Sequence, residues 1–281
     1  MKCVALVCAA ANLIASGCGR AGPVLTAEVV ASHSNTVPLD PNDRAWDEVT
    51  EHAAKLILQD LVEPRLMEPS TAEVRVRAIT NGSEIAFRLA WTDSTMDDLP
   101  QPGRFIDGCA VQVPVAIEAS VPAPQMGETN KSVEITFWRA DWQASVDGRL
   151  DSITSIHPNA SVDHYPFDAQ SLEKGSRAQE EMATRFSPAT AAGNRRAGPR
   201  ESPVEDLIAQ GPGTLSSAPP AGSNGRGVRS EAGWMVTIVR RLPAGLAPQV
   251  RSQIAFAVWE GSHNETGARK MRTGWIPLVM K

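Results

Sequence analysis

From Glu73 onward the chain alternates strictly, with Val74, Val76 and Ala78 at every second position, then Thr80-Asn81-Gly82-Ser83, then Ile85, Phe87, Leu89 and Trp91. A period of two puts one set of side chains on each face of a strand, whereas a helix repeats its apolar positions at three and four. Asn-Gly between two such runs predicts a hairpin closed by a tight primed turn, because these residues accept positive φ. The same pattern predicts strands at Gly108–Val115, Val133–Trp138, Gly233–Leu242, Gln253–Trp259 and Trp275–Met280. With 21 Gly and 21 Pro in 281 residues to supply turns, the expected fold is mainly β: an antiparallel β-sandwich with helices on long loops.

Other segments are less regular. Lys55 to Leu61 reads as a short helix or strand. A proline-rich loop, Val121-Pro122-Ala123-Pro124-Gln125-Met126-Gly127, cannot lie inside a sheet. Between about Asp141 and Ser230 the chain is rich in Ser, Gly, Pro and Ala, with helix propensity at Ser171–Thr184 and Val204–Ala209. So long an excursion from a compact domain is expected to wrap a ligand or dock on a partner. Gly211, Gly213, Gly222, Gly225 and Gly227 have no strand before and helix after them, so they fail the context test for phosphate binding and read as loop glycines.

The N-terminus carries Lys2, an apolar run from Cys3 to Ala15, and then Ala15-Ser16-Gly17-Cys18. This reads as an export leader over residues 1–18 whose Cys18 is the expected site of lipidation, followed by a polar linker over 19–35 and one domain over 36–281. The expected location is periplasmic, with a lipid anchor at Cys18. No later stretch reaches the roughly 18 consecutive apolar residues of a spanning helix. Cys109 is the one cysteine of the mature body, so no internal disulfide is expected. A formal charge of -5 with scattered basic residues gives no footprint for nucleic acid.

Known catalytic and metal patterns are missing from the sequence. His33, His52, His157, His164 and His263 have neither the mutual spacing nor the cysteine neighbours of a zinc site. No serine sits in a Gly-x-Ser-x-Gly elbow, so a hydrolase is disfavoured. There is no Cys-x-x-Cys-His for covalent haem, and one body cysteine cannot hold an iron–sulfur cluster. A non-covalent haem stays open, although no spacing rule identifies one.

Several segments in order carry a resemblance: Val37 to Asp43 with Trp46, Ile85 to Asp93, Phe105 to Gln112, Gln125-Met126-Gly127, Phe186 to Ala189 with Gly193-Asn194, Val204 to Leu207 with Gly211 to Leu215, Gly233-Trp234 with Arg241-Leu242, and Phe256 to Gly261. Together they resemble the haem b-binding gamma subunits of dimethyl sulfoxide reductase-type molybdoenzymes, a family that includes the ethylbenzene, chlorate, selenate and dimethyl sulfide enzymes. The resemblance implies a sandwich similar to carbohydrate-binding modules, one haem b, and iron held by a methionine and a lysine, here Met126 and Lys270. It also implies a non-catalytic electron-transfer subunit whose partners are a molybdopterin catalytic subunit, an iron–sulfur subunit and a soluble cytochrome c or similar carrier. Lys270 has to be neutral to bind iron, its pKa brought down from about 10.4. Met271 and His263 stand nearby as rival second ligands. Arg269 and Arg241 are candidate partners for the haem propionates. Trp46, Trp91, Trp234, Trp259 and Trp275 are expected in the core or on the pocket wall. The rival readings are a haemless ligand-binding module of the same fold and an assembly lipoprotein.

Overall fold

A computed structural model describes residues 26–149, 157–159, 173, 175–186 (backbone only for 182–186), 192, 194, 196 and 200–281. The leader and Cys18 lie outside the described residues, as does the start of the predicted helix at 171. The strands are β1 (Val29–His33), β2 (His52–Lys55), β3 (Ile57–Leu58), β4 (Glu73–Thr80), β5 (Glu84–Thr92), β6 (Gly108–Pro114) and β7 (Val133–Arg139), then β8 (Val204–Ala209), β9 (Ser216–Ser217), β10 (Asn224–Ser230), β11 (Gly233–Arg241), β12 (Ser252–Trp259), β13 (Met271–Arg272) and β14 (Ile276–Met280). Among the described residues, the helices between β7 and β8 are α1 (Ala140–Val146) and α2 (Arg177–Phe186).

One hydrogen-bonded network runs β10-β11-β5-β4-β1-β14-β12-β6-β7-β8-β9. It folds over on β12, whose Ser252–Ile254 pair with β14 and whose Ala255–Trp259 pair with β6. The strands from β10 to β14 form one layer, with β2 also on β4. The second layer is β12 to β9, with β13 on the free edge of β12 and β3 beyond it.

Period-two alternation sends one face of each layer into a shared core. Phe87 of β5 meets Phe256 of β12 edge to face at 6.4 Å, and Trp138 of β7 meets Trp234 at 5.1 Å and Trp91 at 6.4 Å. Each such fully buried side chain contributes roughly 1.5–3 kcal/mol relative to exposure. Cys109, Val111 and Val113 of β6 face this core, and burial pushes the Cys109 thiol well up.

The mainly β sandwich architecture agrees with the alternation, with four corrections. The sheet is mixed, because β1 pairs parallel with both β14 and β4. That strand lies in the span read as a linker, yet Val29, Val30 and Ala31 are buried between two neighbours. Val204–Ala209 is a strand, not a helix; it completes the ladder on β7 and points Val204 inward and Leu207 outward. Gly225 and Gly227 belong to β10 rather than a loop: a Cβ at Gly227 would meet the Trp138 ring at 2.2 Å, so only glycine admits that indole.

The hairpin between β4 and β5 is real, but its turn is looser than predicted. Thr80 pairs with Ile85, leaving four residues between them, and only Gly82 has positive φ. The Asn81 side chain closes it by accepting from the backbone N–H groups of Ser83 and Glu84, a local turn mimic available to Asn.

Candidate functional site

The outer faces of the two layers are covered differently. Outside the first layer, Asp43 caps a short 3-10 turn over Arg44–Trp46 by accepting from Ala45 N, which lays Trp46 over Ile79, Ala86 and Val239 together with Val49, Val37 and Leu39. Trp46 is fully buried and donates through its indole to the Asp40 carbonyl at 3.0 Å. Outside the second layer the same strands that supply the core turn Ala110, Ile135, Leu207, Ala257 and Trp259 outward. There they border a cavity of about 420 Å³.

Met126 and Lys270 both line this cavity. Met126 stands in the proline-rich loop, which is tied down at four points. Gln112 donates to the Pro124 carbonyl at 3.0 Å, Trp275 to that of Pro122 at 2.6 Å, Gly127 N to that of Ala123 at 2.9 Å, and Gly211 N to that of Met126 at 2.8 Å. Met126 has φ +68°, the left-handed region that costs an L-residue roughly 1–2 kcal/mol. Such strain persists where the surroundings over-determine it, often at ligand-binding positions. The next residue must be glycine, since at φ +81° its Cβ would stand 2.7 Å from the Lys131 carbonyl.

Lys270 reaches the cavity from the other flank, immediately before β13. Its carbonyl accepts from Gln59 N at 3.1 Å, and its amine lies 4.9 Å from the centre of the Trp259 indole. Trp259 is fixed in turn by donating to the Gly267 carbonyl at 3.1 Å. Burial of the amine, helped by the nearby Arg272 charge, lowers the Lys270 pKa to about 8. Lys270 has no salt bridge among the described residues. An amine in this setting gives up its proton far more readily than a surface lysine.

The rival ligands do not reach this site. Met271 points into the inter-layer core, where it is buried against the first layer's side chains. His263 ends an exposed 3-10 turn, Gly261–His263. Neither lines the cavity. The arginines named from sequence are also displaced: Arg241 is exposed at the end of β11, across from Glu84 in the first layer, and Arg269 lies with its guanidinium 5.4 Å from the Phe105 ring, outside the cavity lining.

The arginines that do line the cavity are Arg139, Arg196 and Arg272. Arg139 grips Asp141 with two bonds of 3.0 Å, and Arg196 pairs with Glu205 at 2.8 Å. Arg272 is 7% exposed, has no carboxylate within salt-bridge distance among the described residues, and keeps a buried Nε without a partner. It lies two residues after Lys270, but the sequence predicts no strand there, so nothing in the sequence put the two on one face. Buried Glu265 also borders the cavity; its carboxylate accepts from Ser70 and, at 3.0 Å, from Glu260 N, and burial raises its pKa.

Of the five tryptophans singled out, Trp46, Trp91 and Trp234 are core and Trp259 is cavity wall. Trp275 packs with Met126 on the outer cluster of the second layer.

The cavity has an apolar floor of small residues, two aromatic walls in Phe137 and Trp259, a thioether and a low-pKa amine, and one buried guanidinium with an unsatisfied donor. This suits a flat, mostly apolar group with an anionic edge and a central atom that accepts sulfur and nitrogen donors. Among the described residues no three His, Cys, Asp or Glu side chains form a metal cluster.

The family model described as ethylbenzene dehydrogenase matches residues 43–271. The chain is similar to a protein of Haloferax mediterranei named "Putative respiratory nitrate reductase heme subunit ORF7", 23% identical over 245 residues that cover 85% of this chain and 67% of the relative. Among solved structures it is similar to a family 9 carbohydrate-binding module from Caldicellulosiruptor kristjanssonii in complex with cellotriose, at 8% identity and a TM-score of 0.43 over 90% of this chain and 93% of that one. The same module with glucose gives 8% identity and a TM-score of 0.37 over 90% and 95%.

Proposed function

Because the chain belongs to the ethylbenzene dehydrogenase family, we propose that it is the haem-carrying electron-transfer subunit of a respiratory oxidoreductase, with one b-type haem in the cavity outside the second layer. The observation that supports this most is the meeting of Met126 and Lys270 in one cavity, although 144 positions separate them in the sequence (270 less 126). The name of the Haloferax relative points the same way. A haem bound here supplies one-electron chemistry, its iron alternating between ferrous and ferric.

The chain's own residues do the rest. Met126 offers a thioether from a loop that its hydrogen bonds hold rigid, so the donor is placed before the cofactor arrives. Lys270 offers an amine whose depressed pKa lowers the cost of losing the proton. Ala110, Ala255 and Ala257 keep the floor low enough for a flat ring, while Phe137 and Trp259 supply apolar contact and keep water away. With Met126 and Lys270 both holding the iron, the protein would leave no position open for a substrate or oxygen, which fits electron relay and leaves catalysis to another subunit.

In the complete complex the partners are a molybdopterin catalytic subunit and an iron–sulfur subunit on one side and a soluble cytochrome c or similar carrier on the other. The complex is periplasmic, and lipidation at Cys18 tethers it to a membrane surface. The reduced-minus-oxidised visible spectrum of protein made in a haem-sufficient host tests the cofactor reading. Sharp six-coordinate b-type bands, altered in both Met126→Ala and Lys270→Ala, are expected. A colourless protein that also takes up no added haem would overturn it in favour of a haemless binding module.

A further inference from the structure

Arg272 is an unusual residue to bury. Its neighbours on the cavity wall, Arg139 and Arg196, are each neutralised by a carboxylate, whereas Arg272 has none within salt-bridge reach among the described residues and is 7% exposed. Its guanidinium is held from one side only: Nη1 donates to the Thr273 carbonyl at 3.2 Å. That leaves Nε–H, buried and without a partner, beside Nη2, which also makes no hydrogen bond to the described residues. These two donors point the same way. They form the side-on fork with which an arginine takes a carboxylate by two parallel bonds, as Arg139 does with Asp141 in this same molecule.

Strand geometry puts Arg272 on the cavity side of its sheet. Arg272 pairs with Ala257 of β12 and Ile57 of β3, and Met271 pairs with Val258 and Leu58. Val258 and Met271 point into the core, so Arg272 shares the outer face with Ala257 on the cavity floor and with Lys270 two positions back. A buried charged donor left unsatisfied is costly; Arg229, Arg240 and Arg269 also keep one, but of these four arginines only Arg272 lines the cavity, where a ligand's carboxylate can complete it.

We infer that Arg272 binds a carboxylate of the cavity's ligand through Nε and Nη2; resting on the haem reading above, that carboxylate is one haem propionate. Arg272 is therefore a positioning residue. It fixes the rotation of the macrocycle in its slot while Met126 and Lys270 hold the iron, and it does not touch the iron itself.

Two ligands separate this role from general packing: ferric haem b and its dimethyl ester, in which both carboxylates are capped. Titrated into the apoprotein, haem b should bind the wild type about tenfold or more tightly than the ester, the worth of a charge-assisted bond lost from a buried site. Arg272→Gln and Arg272→Met should lose most of that preference, binding haem b and ester nearly alike, while the six-coordinate spectrum of the loaded protein stays that of the wild type. The isolated apoprotein should tolerate Arg272→Met with no loss in its denaturation midpoint, because the unsatisfied donor goes with the side chain; this controls for misfolding, and Arg272→Lys should restore only part of the preference. If the variants keep the wild type's full preference for haem b over the ester, Arg272 does not bind a propionate, although the haem reading stands. If the wild type binds neither compound, the haem reading and this inference fall together.

Discussion

The two outer faces of this sandwich solve one problem in two ways. Both layers present apolar side chains on the side away from the shared core, and both need covering. The first layer is covered by its own chain, where Trp46 with Val37, Leu39 and Val49 lies flat over Ile79, Ala86 and Val239. Over the second layer the described residues form a rim, with the Met126 loop on one flank and the Lys270 turn on the other, around a cavity of about 420 Å³. The floor of that cavity is itself shielded from solvent, so β6 is buried at all seven positions and β12 at seven of eight. The contrast is between a face packed by its own chain and one that, among the described residues, borders a cavity.

The largest expected effect lies on the self-covered face. Trp46→Ala should cost about 3–5 kcal/mol in denaturant unfolding, as for other buried aromatic truncations, and should leave the haem spectrum of whatever protein folds unchanged. Equal damage to both properties would mean that the two faces are not independent. Next comes the rim: Gly127→Ala forces a Cβ into the Lys131 carbonyl at a positive φ, so a loss of roughly 1–3 kcal/mol is expected, together with a changed spectrum because Met126 is displaced.

A subtler test fills the cavity floor. Ala257→Leu should leave apoprotein stability within about 1.5 kcal/mol of the wild type, since its extra atoms enter empty space, yet weaken haem uptake by about tenfold or more. Unimpaired uptake would place the ligand elsewhere.

The smallest effect concerns the polar joint between the layers. Asp107 is fully buried, and its carboxylate accepts from Trp234 Nε1 at 3.0 Å, Asp97 N at 2.8 Å and Gly261 N at 2.9 Å. Burial, against these bonds, raises its pKa to about 7. A carboxyl whose folded pKa lies above its unfolded value of 3.8 favours folding in its protonated form. Its contribution is complete below about pH 4 and is lost as pH rises through about 7. Chemical denaturation across that window should show stability falling with pH, and the fall should be shallower in Asp107→Asn.

Most of the sandwich was legible because alternation is a local signal. The runs at Val74–Trp91, Val111–Val113, Val133–Trp138 and Ile254–Val258 each state which side chains face inward without reference to any neighbour. The strands that escaped are those whose reason for being strands is distant. Val29–His33 is short and polar at its end, and it is a strand because β4 and β14 leave a slot for it. Val204–Ala209 is rich in residues that suit a helix, and the free edge of β7 overrides that local preference. Gly225 and Gly227 read as loop because what crowds them is distant in sequence: the Val204 side chain at Gly225, and at Gly227 the Trp138 indole, almost ninety positions away.

The site divides similarly. Met126 and Lys270 came from family resemblance, not spacing, and the fold brings both to one cavity. Arg272 was missed because an arginine in a two-residue strand looks like surface; its burial on the cavity wall with an unmatched Nε is visible only in the fold. Arg241 and Arg269 were attractive as charges in the right segments, but charge alone says nothing about which face a side chain occupies.

Diffraction from crystals of the haem-loaded protein, with the iron located by its anomalous scattering, tests the central claim most directly. The account predicts a single iron peak in the cavity outside the second layer, bonded to Met126 Sδ on one side and Lys270 Nζ on the other. An iron peak anywhere else, or one in this cavity held by other side chains, would contradict it.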